Sequence, residues 1–540
     1  MTNILRKIKN SNKRLFVGLA GPGTGKSHTF KTIIKSREYK GKKILILSFI
    51  NKLIDDLSDS FKNFTNVKIL TLHAFARSEL FKTEECDLDE NLDTYISEDY
   101  FFINGDKIDY EKKFHENNLT KDEEEFYKNV KEFYGSNKKL YSFNSIIHAV
   151  NCLFLQNESK IPEYDLILVD EFQDFNKSEY ELIKFLNKKS TVILVGDDDQ
   201  SLYYFKHADP SQIRELYQND NSEAFSLDYC YRCPKVIINA TNDLIRKTKK
   251  DGCLGDRLDK NFLYPEGYKD KESKKYPKID FVSSIIGGRL AYKLAKMIRE
   301  DIEGYKDKQR ILILIPSYLE QTVCEGLMKN GITVVGIALF SKEERNRIKH
   351  NELRKIFKIL MKRKTDNLAL RKILPLYFNN DEKRKEVLVK INKEQRKIWD
   401  CLDENIKKKI EKDIEIFKTV KVGRKELDKA GLERFSNIFN LKNILTKVVK
   451  GFEPNVKDAI EVELATVTSS KGLSADFVYY VGIDDDNILD KNTKKITDHK
   501  ICEFLVGATR TKKKLTLISL RDETPKILEF IGKRNILQKS

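Results

Sequence analysis

Residues Leu15-Phe-Val-Gly-Leu-Ala20, running into Gly21-Pro-Gly-Thr-Gly-Lys26-Ser27, read as an apolar strand, a glycine loop and the start of a helix that continues to about Lys35. Glycines let successive backbone N–H groups turn toward one anion, and a helix that begins there adds the positive end of its dipole. The loop is therefore expected to cradle a nucleoside triphosphate through Gly21, Gly23, Thr24 and Gly25, with Lys26 on the β and γ phosphates and Ser27 ligating Mg²⁺. Ala20 stands where the generic pattern has its first glycine. Strand, loop and helix in this order open an α/β unit, and that decides the fold class.

Outward from the loop, short apolar runs recur at 43–49, 67–72, 166–169 and 191–195, separated by helical patterns, as a buried parallel sheet requires. A second series follows at 311–315, 332–337, 463–467, 477–481 and 515–519. Two doubly wound cores account for both series. The run Leu166-Ile-Leu-Val169 ends in Asp170-Glu171, two acids at a strand terminus where a phosphate site needs its metal carboxylate. Asp170 is expected to hold Mg²⁺ and Glu171 to orient and deprotonate the attacking water. The expected organisation is a first core at 1–80 and 159–226, a helical insert at 81–158, a second core at 227–340 and 457–540, and a second helical insert at 341–456.

The chain has 540 residues, 40% of them hydrophobic, enough for two to four domains at roughly 100–200 residues each. No apolar run approaches the roughly 18 residues of a membrane span, and the basic start at 1–14 lacks a cleavage-like site, so neither a membrane nor an export role is expected. Eight scattered cysteines suit free thiols in a reducing, cytoplasmic compartment. Cys230-Tyr-Arg-Cys233 lacks a second pair to complete a metal site and is read as coincidence. The last apolar stretch lies close to the C-terminus, and no appended nuclease module is expected.

The net charge of +17 implies a polyanionic partner, nucleic acid before membrane. Its distribution says more: residues 341–460 hold 33 basic and 19 acidic side chains, a surplus of 14, whereas residues 81–130 hold 6 basic and 16 acidic, a deficit of 10. The basic insert suits duplex or flanking-strand contact. The acidic one would repel a polyphosphate and suits a protein partner, such as a nuclease.

Asp170-Glu-Phe-Gln-Asp174 and Val195-Gly-Asp-Asp-Asp-Gln200-Ser-Leu-Tyr203 resemble motifs II and III of the UvrD/Rep family of superfamily 1 helicases. Ser48-Phe-Ile-Asn51-Lys52 is similar to that family's TFTNKAA segment, Thr71-Leu-His73-Ala-Phe75 to T-x-H-S-F, and Leu227-Asp-Tyr-Cys-Tyr231-Arg232-Cys to L-x-x-N-Y-R-S. Thr466-Val-Thr-Ser-Ser-Lys471-Gly472-Leu473 resembles T-x-H-S-A-K-G-L, and Val506-Gly-Ala-Thr509-Arg510-Thr511 resembles Y-V-x-x-T-R-A. The matches run in family order from residue 20 to 511. The resemblance implies two RecA-like cores, each with an inserted mainly helical subdomain, and ATP-driven 3′→5′ movement on single-stranded DNA, with an ss/ds junction as an allowed substrate. It also implies that Gln200, Arg232 and Arg510 sense the γ-phosphate and that Tyr231 stacks on the base. Gly472 and His28 would complete the nucleotide site. Phe49, Asn51, Thr71, His73, Tyr203, Phe205, Lys206 and Thr468 would line the strand's path, the aromatic rings accepting any base.

The pattern breaks in places. No glutamine occurs in residues 1–26, so the family's adenine-reading Q motif is missing; His28 replaces an arginine and Ser474 a glutamate. These changes leave the phosphate chemistry intact and open GTP as a second substrate. Thr468 replaces a histidine and Lys206 an arginine, which bears on coupling between the two ligands. Beside the helicase reading stand a nucleic-acid-stimulated regulatory ATPase subunit that gates a partner nuclease in repair or anti-phage defence, and an RNA motor.

Overall fold

The computed structural model describes residues 2–48, 61–62, 64–135, 139–283, 287–335, 353–378, 380–394, 396–419 and 460–539, the side chains of residues 2, 3, 205, 287, 393 and 419 apart. The chain divides into two compact units, Met1–Leu72 with Asn157–Ile337 and Phe452–Ser540, and His73–Gln156 with Ala338–Gly451.

Up to residue 227 the strands are β1 (Leu15–Ala20), β2 (Ile44–Ser48), β3 (Val67–Thr71), β4 (Cys86–Leu88), β5 (Lys139–Tyr141), β6 (Leu166–Val169), β7 (Val192–Gly196) and β8 (Glu223–Leu227). Six of them form a parallel sheet in the order β3-β2-β6-β7-β1-β8. Every residue of β2, β6 and β7 is buried, which is why these segments read as unbroken apolar runs: helices cover both faces of a parallel sheet. Phe16, Phe30, Ile33, Ile46, Leu168 and Ile193 pack one core there, each contributing about 2 kcal/mol by leaving water. The order sets β6, β7 and β1 side by side, so the segments after their carboxyl ends converge, the usual place for a ligand on such a sheet.

The remaining strands are β9 (Ile279–Val282), β10 (Ile311–Leu314), β11 (Ile332–Val335), β12 (Ile460–Ala465), β13 (Ala475–Val481), β14 (Thr511–Ile518) and β15 (Ile536–Lys539). They form a second parallel sheet, β11-β12-β10-β13-β14-β9-β15. Three strands of these two sheets lie outside the apolar series read from the sequence. β8 and β15 are edge strands, paired on one side only, and tolerate polar residues. β9 carries the buried Asp280, whose carboxylate meets Lys514 at 2.8 Å and Lys539 at 2.7 Å, so its apolar pattern is interrupted by ion pairs.

The second unit brings the two inserts together. The sequence assigns one insert to each core, with each charged surface facing solvent or a partner. In the structure the described parts of both inserts share one hydrophobic core, in which Leu92, Ile96, Tyr110 and Phe114 pack with Phe357, Leu370, Ile373 and Ile410. Part of the opposite charge is neutralised at that junction. Arg371, 1% exposed, donates from Nε to Asp99 at 2.9 Å and from Nη2 to Glu98 at 2.8 Å, and Lys372 pairs with Asp89. The basic insert at 341–456 falls partly outside the described residues. No helix among the described residues is long and apolar enough to cross a membrane.

Candidate nucleotide site

The loop after β1 has the backbone that an anion cradle needs. Gly23 and Gly25 adopt φ of +70° and +89°, a region that side chains resist. Gly23 has a second reason to be glycine: a Cβ there would lie 2.4 Å from the Cβ of Arg232. Gly21 is buried, Thr24 Oγ1 donates to Gly21 O at 2.8 Å, and Thr29 Oγ1 donates to Gly25 O at 3.0 Å, pinning the loop to the helix Lys26–Lys35. Ser27 stands half-buried in the first turn, and His28 is exposed on the same turn.

From the end of β6, Asp170 and Glu171 face this loop. Lys26 Nζ donates to Glu171 Oε1 at 2.8 Å, and Gln173 Nε2 donates to Glu171 Oε2 at 2.7 Å. Glu171 holds φ of +53°, uncommon for a residue with a side chain and the kind of local strain that functional sites keep. Burial works against its charge, yet Lys26 and Lys471 hold its carboxyl below the usual range. Burial pushes Asp170 the other way, up to about 6. Among the described residues no basic side chain lies within ion-pair distance of Asp170, so a buried carboxylate is left for a cation to neutralise. Burial alone would lower the Lys26 ammonium, but Glu171 and Asp170 outweigh it and hold it above its ordinary value.

The second sheet supplies the facing cations. Arg510, just before β14, is 2% exposed and donates to Val506 O at 2.9 Å, to Leu473 O at 3.3 Å and to Gln200 Oε1 at 3.0 Å. Burial and the neighbouring Arg232 guanidinium lower its basicity, to about 9. Two guanidiniums brought together this way favour an anion beside them. Arg232 Nη1 donates to Thr509 O at 3.3 Å, and Tyr231 N donates to Gly23 O at 2.9 Å, so the Tyr231–Arg232 segment is fastened to the glycine loop itself. The Tyr231 ring is 41% exposed and meets Tyr268 edge to face at 5.3 Å, leaving aromatic surface open for a base.

Lys471, whose importance the sequence reading left unassigned, is buried between the sheets: its amine pairs with Asp174 and donates to Gln200 O at 2.8 Å. Asp174 is pushed up to about 6 by burial despite that partner. Two further residues were missed, Lys260 and Arg257, in the loop before Phe262. Lys260 sits among Asp197, Asp198 and Asp199, and Arg257 Nε donates to both Asp199 oxygens at 2.7 and 2.8 Å. A small cavity of about 20 Å³ opens between the glycine loop and this cluster, lined by Gly21, Pro22, Gln200, Arg257, Lys260 and Phe262 among others. Nothing near Leu254–Phe262 in the sequence repeats a phosphate-site pattern; only the alternation of acids and bases there hinted at pairing.

The residues expected along a nucleic-acid path are less gathered. Tyr203 is half-buried with the amines of Lys206 and Lys471 each 5.5 Å from its ring centre, and Lys206 is exposed. Thr468 is half-exposed in the turn that leads to Lys471, and Gly472 follows at φ +85° with open space around it. Thr71 ends β3, half-buried. His73 meets Phe143 edge to face at 6.0 Å. Phe49, Asn51 and the Phe205 side chain lie outside the described residues. Tyr204, 39% exposed and edge-on to His499 at 5.5 Å, is an aromatic surface the motif reading passed over. Cys230 and Cys233 belong to no metal-ligating group among the described residues; Cys233 Sγ donates instead to Thr509 O at 3.5 Å.

Comparison with known proteins follows the same lines. A family model described as an AAA domain matches residues 5–206. The chain is 27% identical to ATP-dependent DNA helicase Rep of Buchnera aphidicola over 461 residues, 72% of this chain and 68% of that protein. It is 42% identical to DNA helicase II of Haemophilus influenzae over 104 residues, 19% of this chain and 13% of that one. Over 142 residues it is 32% identical to an ATP-dependent helicase/nuclease protein of Syntrophomonas wolfei, 24% of this chain and 11% of that one.

Proposed function

We propose that this chain is a UvrD/Rep-like superfamily 1 helicase, an ATP-dependent DNA helicase that moves 3′→5′ on single-stranded DNA. The observation that carries the reading is the convergence of Lys26, Asp170, Glu171 and Gln200 from the first sheet with Arg232 and Arg510 from the second. The names of its relatives favour an enzyme over a purely regulatory role.

The residues fit Mg²⁺ and ATP. Asp170 is a buried carboxylate without a basic side-chain partner among the described residues, and with Ser27 it would hold the metal. The loop Gly21–Gly25 and Lys26 would take the phosphates, and Tyr231 the base. Bound ATP supplies the electrophilic γ-phosphoryl group. Glu171, kept ionised by Lys26 and Lys471, accepts the proton of the attacking water. Gln200, Arg232 and Arg510 stabilise the charge that spreads over the phosphoryl oxygens, and because the two arginines sit on the other core, hydrolysis depends on how the cores meet. The strand would pass Tyr203, Phe205, Lys206 and Thr468, with Phe49, Asn51, Thr71 and His73 as further contacts. The missing Q motif leaves GTP as an alternative fuel, and the similarity to a helicase/nuclease protein supports a nuclease as protein partner.

The test is steady-state hydrolysis of ATP and GTP with and without single-stranded DNA or RNA, with Lys26→Ala as the blank, followed by strand displacement. DNA-stimulated, Lys26-dependent turnover with unwinding is expected. Turnover that DNA leaves unchanged would replace the motor with the gated regulatory ATPase.

A further inference from the structure

We propose that Lys260 is a positioning residue for hydrolysis, acting through Asp197 to set the orientation of the Gln200 amide; the inference rests on the helicase reading of this site. Lys260 lies on the second core's side, in the loop between the helices Lys235–Lys250 and Asp270–Lys275. Its side chain is 7% exposed and its amine touches Asp197, reaches Asp198 at 2.5 Å and Asp199 at 3.0 Å. Three adjacent buried carboxylates repel one another, and the structure divides their neutralisation. Arg257 takes Asp199, Arg214 reaches Asp198 at 3.2 Å, and Lys260 is the one ion-pair partner of Asp197 among the described residues.

Asp197 passes this on. Its Oδ2 accepts from Gln200 Nε2 at 2.5 Å, and Gln200 Oε1 then accepts from Arg510 at 3.0 Å. A primary amide has a donor end and an acceptor end of nearly the same shape, so its orientation is set by its neighbours alone. An ionised Asp197 accepts only. It therefore holds the N–H end and leaves the oxygen for Arg510. Without Lys260, Asp197 would be a buried carboxylate with no cation, pushed by its two acidic neighbours and no longer held against the Gln200 amide, which is then free to turn its N–H₂ toward the Arg510 guanidinium. Lys260 thus keeps a γ-phosphate-sensing pair in register from more than fifty residues away, without touching the nucleotide.

The experiment measures DNA-stimulated ATP turnover by the full chain for wild type, Lys260→Met, Lys260→Arg, Gln200→Ala and the Lys260→Met/Gln200→Ala double variant. Lys260→Met is expected to lower kcat by about tenfold with KM for ATP changed by less than about threefold, since misplacing a catalytic group affects the transition state more than binding. Lys260→Arg, which keeps the cation, restores most of the turnover. The double variant is expected to be no slower than Gln200→Ala alone, because residues acting through one another are not additive. Full turnover by Lys260→Met, or losses that multiply in the double variant, would overturn the proposal. Should Lys260→Met not fold, Asp197→Asn gives the same test: its amide frees Gln200 to turn while removing one charge from the cluster, and wild-type kcat in that variant overturns the proposal equally. Absence of Lys26-dependent turnover in the wild type would sink the helicase reading and this inference together, whereas wild-type turnover with an unaffected Lys260→Met sinks this inference alone.

Discussion

Arg510 donates to Gln200 Oε1 at 3.0 Å, joining the residue that precedes a central strand of the second sheet to the segment that follows a central strand of the first. The same guanidinium also closes on the carbonyls of Val506 and Leu473. It is at once a part of the core's hydrogen bonding and, in the proposed function, a charge on the nucleotide side.

Arg510→Lys is therefore expected to lower ATP turnover by a factor on the order of 100, because one ammonium cannot serve three acceptors set in a fork. Arg510→Ala should lose turnover and also destabilise the chain by about 1–3 kcal/mol, since two buried carbonyls lose a partner. Turnover and thermal unfolding measured side by side separate the two effects; an Arg510→Lys enzyme with wild-type kcat would remove this residue from the site.

Gly23→Ala meets two obstacles, a φ of +70° and a Cβ placed 2.4 Å from that of Arg232. The contact is with a Cβ close to the backbone, so the loop itself must shift. A loss of about 1–3 kcal/mol of stability is expected, with KM for ATP rising about tenfold as the phosphate-facing amides lose their alignment. An unchanged KM would show that the loop has slack.

Glu179 closes a capping box with Asn176 at the start of the helix Lys177–Lys189, accepting from Asn176 N at 2.9 Å while buried. Burial pushes its carboxyl up to about 7. A raised folded-state pKa means that the native chain holds this proton more tightly than the unfolded one. Stability from this group is full below about 4.5 and falls as pH rises toward 7, by about 3 kcal/mol at most. Glu179→Gln keeps the acceptor and removes the charge. The variant should melt higher than wild type at pH 8, and the gap should shrink toward pH 5. A gap independent of pH would contradict the assignment.

Arg371 joins the two inserts through Asp99 and Glu98. Arg371→Met should destabilise the second unit by about 3–5 kcal/mol because Asp99 stays buried with the Tyr134 hydroxyl but without a cation, and Arg371→Met with Asp99→Asn should recover a good part of that loss. Hydrogen exchange in helix Asn367–Tyr377 reports it directly; equal protection in the single variant and wild type would refute the shared-core account.

How much of this was readable beforehand follows from the kind of constraint involved. Gly23, Gly25, Lys26, Asp170 and Glu171 announced themselves because a phosphate cradle and a metal carboxylate need given residue types at short, fixed spacings on a strand–loop–helix unit. The buried strands of the first sheet were plain for a related reason, since two-sided burial leaves no room for polar alternation. β8 and β15, at sheet edges, and β9, with its paired Asp280, carry no such signature.

The sequence by itself thus determined the glycine-loop backbone and the two-core α/β class, because both depend on residues near one another along the chain. Tertiary structure alone decided that Lys260 and Arg257 would neutralise Asp197 and Asp199, that Lys471 would reach Asp174, and that an acidic and a basic insert would neutralise part of each other's charge. Those pairings span tens to hundreds of residues. Local propensity and spacing say nothing about them, since an ion pair across a fold is chosen by which surfaces the packed sheets and helices bring together, and burial then makes the pairing obligatory.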